Sequence, residues 1–103
     1  MLLSKKYDAD DIISLKISNG DEIVAKFVSE TDSAYVLSKP MAVVPSQQGI
    51  GLIQAMFSVD PAKELHLAKS HVMIHSHSAD GLADHYREVT SGIQLVRKGS
   101  LVV

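Results

Sequence analysis

The chain has 103 residues, 46% hydrophobic and 21% charged, with 10 Lys and Arg against 12 Asp and Glu and no cysteine. That size suits a single domain, residues 1–103, and leaves too little chain for two independent cores. A net charge of −2 excludes a nucleic-acid binder that works by bulk positive charge, and the missing cysteines exclude disulfides, thiolate metal sites and thiol nucleophiles.

The opening MLLSKKYDADD lacks the basic lead and apolar core of a signal peptide, and no stretch approaches the roughly 18 apolar residues of a membrane span. A cytoplasmic protein without a membrane partner is the expectation. Asp8, Asp10 and Asp11 lack the spacing and glycine of a calcium loop and are read as a solvated stretch, as are the cation pairs Lys5-Lys6 and Arg97-Lys98 near the chain ends.

Residues 12–18, IISLKIS, alternate, with Ile13, Leu15 and Ile17 on one side and Ser14, Lys16 and Ser18 on the other, the pattern of a half-buried strand. Asn19-Gly20 tolerates the positive φ angles of a tight reversal, and it predicts a hairpin into residues 22–30, where Ile23, Ala25 and Phe27 continue the buried side. After the polar break Thr31-Asp32-Ser33, residues 34–44 form a third strand, and Pro40, which donates no ladder hydrogen bond, predicts a bend, a bulge or an edge within it. Residues 50–59, IGLIQAMFSV, are apolar on both faces and predict a strand buried on both sides or set in an interface. Residues 65–76 predict the last strand, with Val72 and Ile74 opposite His71, Met73 and His75. Leu82, Tyr86, Val89 and Ile93 then make an apolar stripe on a helix from Asp80 to Gly92.

Five strands joined mostly by short turns would expose unpaired rims if left flat, so a mainly β, strongly bent small barrel is expected, with corners at Pro40, Gly49 and Gly51. The C-terminal helix would cap one end or prop one face.

The stretch LKISNGDEIVAKFVSETDSAYVLSKP, residues 15–40, resembles the first motif of the Sm and Sm-like proteins: apolar alternation, Asn-Gly at 19 and 20, a small residue at Ala25, a polar turn and an apolar strand ending at Leu37. The chain is also similar to small Sm-like proteins of marine phages, whose helix carries a tyrosine and a Thr-Ser-Gly-Ile run, here Thr90 to Ile93. The likeness covers about 75 residues, in a strand-turn-strand pattern that other small barrels share. It implies a five-stranded Sm-like barrel, a homo-oligomeric ring paired through outer strands, a surface for single-stranded RNA or DNA, and a host-cell cytoplasmic setting if the chain is of phage origin.

Positions that hold RNA in that family fall here on Thr31, Ser33 and Tyr35. Tyr35 is the candidate to stack on a base; Ser33 cannot stack, and the base-reading amide is missing. In place of the family's second basic motif the chain offers His66-Leu67-Ala68-Lys69, which makes Lys69 the candidate phosphate contact, with His66 beside it.

His71, His75 and His77 fall in HVMIHSH. On an unbroken strand, residues two apart lie about 6.6 Å apart and residues four apart about 13 Å. Zinc holds imidazole nitrogens at about 2.0 Å, so His75 and His77 could share an ion only with help from Asp80, Asp84 or His85. Imidazoles hydrogen-bonded along a wet or interfacial face are the simpler expectation. Without a phosphate loop, a nucleophile elbow or a zinc-hydrolase helix, no enzyme and no cofactor are expected. The leading expectation is a self-associating Sm-like module that binds single-stranded nucleic acid, RNA first, in RNA or DNA processing. A structural or protein-interaction module of the same fold is its rival, and a metal-dependent hydrolase ranks below both.

Overall fold

A computed structural model describes the backbone of residues 6–100 and the side chains of residues 6–91. Six strands, β1 (Ile12–Ile17), β2 (Glu22–Glu30), β3 (Ala34–Ser46), β4 (Gly49–Gln54), β5 (Leu65–Ala68) and β6 (Val72–His77), precede one helix, α1 (Asp80–Ser100). They form a single antiparallel sheet in the order β4-β3-β2-β1-β6, and β5 lies on the N-terminal half of β3.

The hairpin at Asn19-Gly20 forms as expected. Gly20 sits at φ +94, and the Asn19 side-chain oxygen accepts the Asp21 N–H at 2.9 Å, so both residues serve the reversal. The break expected at Pro40 is a β-bulge: Val24 pairs with Met41 and Lys26 with Ser38, so Lys39 and Pro40 stand opposite Ala25 alone. Lys39 takes a left-handed φ of +48 there.

The strand expected over residues 65–76 is two strands. A three-residue 3₁₀ turn, Lys69–His71, separates β5 from β6 and carries the chain from the β3 side to the β1 side. Each end of the turn is tied down: the Lys69 N–H donates to the Ser33 carbonyl and the Ser18 N–H to the His71 carbonyl, both at 2.8 Å. The expected five-stranded barrel is therefore corrected to a six-stranded sheet that is not a closed barrel, because this turn alone spans the gap from β3 to β1. The strand expected over residues 50–59 stops at Gln54, which leaves Met56 and Phe57 exposed in irregular chain. The helix continues through Gly92 to Ser100, since an interior glycine costs a helix only about 1 kcal/mol.

β1 and β2 are buried on both faces. Ile13, Leu15, Ile23, Ala25 and Phe27 pack with Tyr7, Tyr35 and Leu37 inside the bend of the sheet. On the opposite face Ile12, Val24 and Met41 meet Ala83 and Tyr86 of α1, flanked by Leu82 and Val89. The helix thus props a face of the sheet. Its anchor is the Tyr86 hydroxyl, which donates to the carbonyls of Ser38 and Lys39 at 2.9 and 2.8 Å. Those carbonyls sit at the edge of the bulge and within it, where the regular ladder is interrupted and Pro40 has no N–H to offer.

Candidate functional site

The turn between β2 and β3 is built by Thr31. Its hydroxyl oxygen accepts the N–H groups of Ser33 and Ala34 at 3.3 and 3.0 Å, and its own N–H donates to the Ala34 carbonyl at 2.8 Å. The bond from Lys69 N–H to the Ser33 carbonyl draws the 3₁₀ turn against it. The Lys69 ammonium then lies 2.7 Å from a Glu30 carboxylate oxygen and 5.1 Å from the centre of the Tyr35 ring. Thr31, Ser33, Tyr35 and Lys69 therefore share one corner. His66 does not: it pairs with Val36, whereas Tyr35 pairs with Leu67, and alternation puts His66 on the other face of the sheet.

Tyr35 is 7% exposed. With Lys69 over the ring, Phe27 and His75 packed against it, and its hydroxyl 3.2 Å from His75 Nε2, it offers no free face to a base. The stacking role expected for it is corrected to a core role. Lys69 is half-exposed and bound to Glu30, which raises its pKa by favouring the ammonium, so a phosphate must compete with that carboxylate.

The three histidines of β6 and the turn have separate partners. His75 lies between two buried tyrosines, Nδ1 at 2.7 Å from the Tyr7 hydroxyl and Nε2 at 3.2 Å from that of Tyr35. A neutral imidazole has one donor and one acceptor nitrogen, so it satisfies both phenols at once. His77 Nε2 meets Asp11 Oδ2 at 3.0 Å, and His71 Nδ1 meets the Ser18 hydroxyl at 3.0 Å. Their expected common face is broken by the 3₁₀ turn and by a bulge: Ile17 pairs with Val72 but Lys16 with Ile74, which leaves Met73 unpaired. Consecutive Met73 and Ile74 are consequently both exposed.

Tyr7 went unnoticed in the sequence because it stands alone among Lys5, Lys6 and Asp8. It is buried, with its ring packed on Phe27, His75 and His77. The acidic stretch beside it is structured too: the Asp11 carboxylate accepts the Asp8 N–H at 2.9 Å as well as meeting His77, and both contacts lower its pKa, the Asp8 N–H most.

All three tyrosines are held in the phenol form. Burial, with Tyr35 and Glu30 nearby, pushes Tyr7 from 10.0 to about 12; burial and Glu30 raise Tyr35 against an opposing effect of Lys69; burial raises Tyr86. A group raised on folding holds its proton longer than in the unfolded chain, so its contribution is whole below pH 10 and declines as pH climbs toward the folded value. Denaturant midpoints are therefore expected to fall between about pH 10 and 12. Tyr7→Phe should flatten part of that decline, and an unchanged pH profile in the variant would contradict the burial of this phenol.

The second feature is at the sheet ends. Among the described residues β4 and β6 each have one edge with no ladder partner. Exposed apolar side chains sit along or just beyond both: Ile50, Ile53, Met56 and Phe57 at the first, Met73 and Ile74 at the second. Open edges with apolar cover are templates for pairing with another chain. Compared with known proteins, the chain matches no family model and no curated protein.

Proposed function

We propose that the chain is a self-associating Sm-like module in which β4 of one copy pairs with β6 of the next, forming a ring that holds single-stranded nucleic acid, RNA before DNA. The observation that carries this reading is the pair of free six-residue edges, β4 and β6, at opposite ends of one sheet. Joining two different edges head to tail makes a heterologous contact, which closes into a ring when the rotation between copies divides a full turn. Each addition covers the Ile50 and Ile53 side of one copy and the Met73 and Ile74 side of the next.

For nucleic acid the candidates are Thr31, Ser33 and Lys69 at their shared corner, repeated once per copy. Repetition is what lets a chain of net charge −2 gather enough cations on one surface to displace counterions from a phosphate backbone. A structural or protein-interaction module of the same fold is the second reading, favoured by the Lys69–Glu30 ion pair and the burial of Tyr35. No described helix is long and apolar enough to cross a membrane.

Binding of a short oligouridylate and its deoxy counterpart at low and moderate salt separates the two. RNA is expected to be retained at low salt, to weaken as salt rises, and to weaken severalfold in Lys69→Ala. That pair is half-exposed and screened by solvent, so removing it should leave the fold in place. Absence of retention at low salt would reject nucleic-acid binding and leave the module a scaffold.

A further inference from the structure

We infer that the cleft between α1 and the β2–β3 ladder is a binding site for a phosphate-class oxyanion, held by Lys26, Lys39 and Arg87. The three cations come from three separate elements. Lys26 is a half-buried position of β2, paired with Ile12 on one side and Ser38 on the other. Lys39 belongs to the bulge of β3, and Arg87 follows Tyr86 on the helix. All three line one polar cleft of about 490 Å³, together with Tyr86, Thr90, Ser91 and Asp10. That volume accommodates more than a bare ion, within the roughly 300–1,000 Å³ of small-ligand sites.

Charge at the site runs against the charge of the chain. Three cations and the one carboxylate of Asp10 line the cleft, a charge of +2 that stays positive, at +1, when Asp84 beside Arg87 is counted, in a protein of net charge −2. Among the described residues neither Lys26 nor Lys39 has a carboxylate oxygen within 4 Å. Arg87 has only a long, exposed contact of 3.4 Å to Asp84, three residues back on the helix, which a ligand displaces at little cost. Both ammonium groups are thus left to an anion from solution, and the Arg87 guanidinium lining the same cleft supplies the planar fork that fits phosphate oxygens.

The backbone is built to the same end. The only two non-glycine residues at positive φ among those described, Asp10 at +76 and Lys39 at +48, both line this cleft. Left-handed backbone at unbranched residues is sparsely populated and persists where surrounding structure enforces it. Here the Asp10 N–H is fixed to the Phe27 carbonyl at 2.8 Å, and the Tyr86 hydroxyl pins the Ser38 and Lys39 carbonyls. The bulge turns Lys39 out of the ladder, and the helix that locks the bulge carries Arg87 to the same cleft.

The test titrates inorganic phosphate, at constant ionic strength, against the isotope-labelled full chain and follows its backbone amides by NMR. Saturable shifts centred on Lys26, Ser38, Lys39, Arg87 and Ser91 are expected. They should weaken about tenfold or more in Lys26→Gln/Lys39→Asn, since asparagine tolerates the left-handed φ of position 39 while removing its charge. Arg87→Gln, at an exposed helix position, gives an independent variant that does not touch the sheet. A flat titration, or one that the variants leave unchanged, overturns the proposal. Adding a short oligouridylate then identifies the source of the phosphate: displacement marks a nucleic-acid backbone, and phosphate binding without displacement marks a free phosphate or phosphomonoester, each with the oxyanion site standing. The cleft uses neither β4 nor β6, so a flat titration leaves the assembly reading intact, and failure of assembly leaves the cleft.

Discussion

Replacing Tyr86 with alanine is expected to destabilise the fold by about 3–5 kcal/mol, the range for deleting a large buried aromatic ring. At 1% exposed, the ring packs with Ile12, Val24 and Met41 of the sheet and Ala83 of the helix, so its removal leaves a cavity between the two. Its hydroxyl adds a separate effect. One proton is shared between the Ser38 and Lys39 carbonyls, the last paired residue before the bulge and the first residue in it, where the ladder is interrupted. Tyr86→Phe keeps the ring and removes the donor, so it should cost about 1–3 kcal/mol, the penalty for a buried polar group left unsatisfied. Chemical denaturation of the two variants should thus rank wild type above Tyr86→Phe above Tyr86→Ala. Equal midpoints for wild type and Tyr86→Phe would show that the hydroxyl does not hold the helix on the sheet.

Charging both free edges is expected to separate the copies while sparing the fold. Ile53 on β4 and Ile74 on β6 are 47% and 62% exposed in the single chain, so lysine at either should move stability by no more than about 0.5 kcal/mol. Pairing β4 with β6 brings the two edges together, and Ile53→Lys/Ile74→Lys then sets like charges across the join, the device natural sheets use to keep edges apart. Association should weaken about 100-fold or more, each tenfold being 1.4 kcal/mol. An assembly of undiminished affinity in the double variant, with wild-type denaturation, would place the contact elsewhere on the molecule.

Much of the sheet was legible in local pattern. The turn at Asn19-Gly20 and the faces Ile13, Leu15 and Ile23, Ala25, Phe27 follow from alternation and turn chemistry, which act within a few residues. Pro40 announced an irregularity in its strand for the same reason, and of the bend, bulge or edge it allowed, the bulge is what forms. What stayed hidden depends on distant chain. Residues 65–76 read as one alternating strand because the turn at Lys69–His71 carries neither glycine nor proline, and what fixes it is its bonds to Ser33 and Ser18. Ile12 and Val24 occupy the nominally polar side of their strands and are buried only because α1 lands on them.

The candidate corner divides in the same way. Resemblance to the Sm-like pattern pointed to Thr31, Ser33, Tyr35 and Lys69, which the structure brings together, and to His66, which strand alternation turns away. Burial of Tyr35 could not be read locally, since it depends on His75, 40 residues on, and on Lys69 folding over the ring. Nor could the partnership of Tyr7 with His75, 68 residues apart. The cleft of Lys26, Lys39 and Arg87 leaves no motif at all, because its three cations are assembled by a bulge and a docked helix.

The measurement that bears most directly on the proposed edge-to-edge assembly is the mass of the full chain in solution by sedimentation equilibrium. A discrete multiple of 11.1 kDa is predicted, held over a range of concentrations and reduced to a single copy in Ile53→Lys/Ile74→Lys. A wild-type chain that sediments at 11.1 kDa throughout would contradict it.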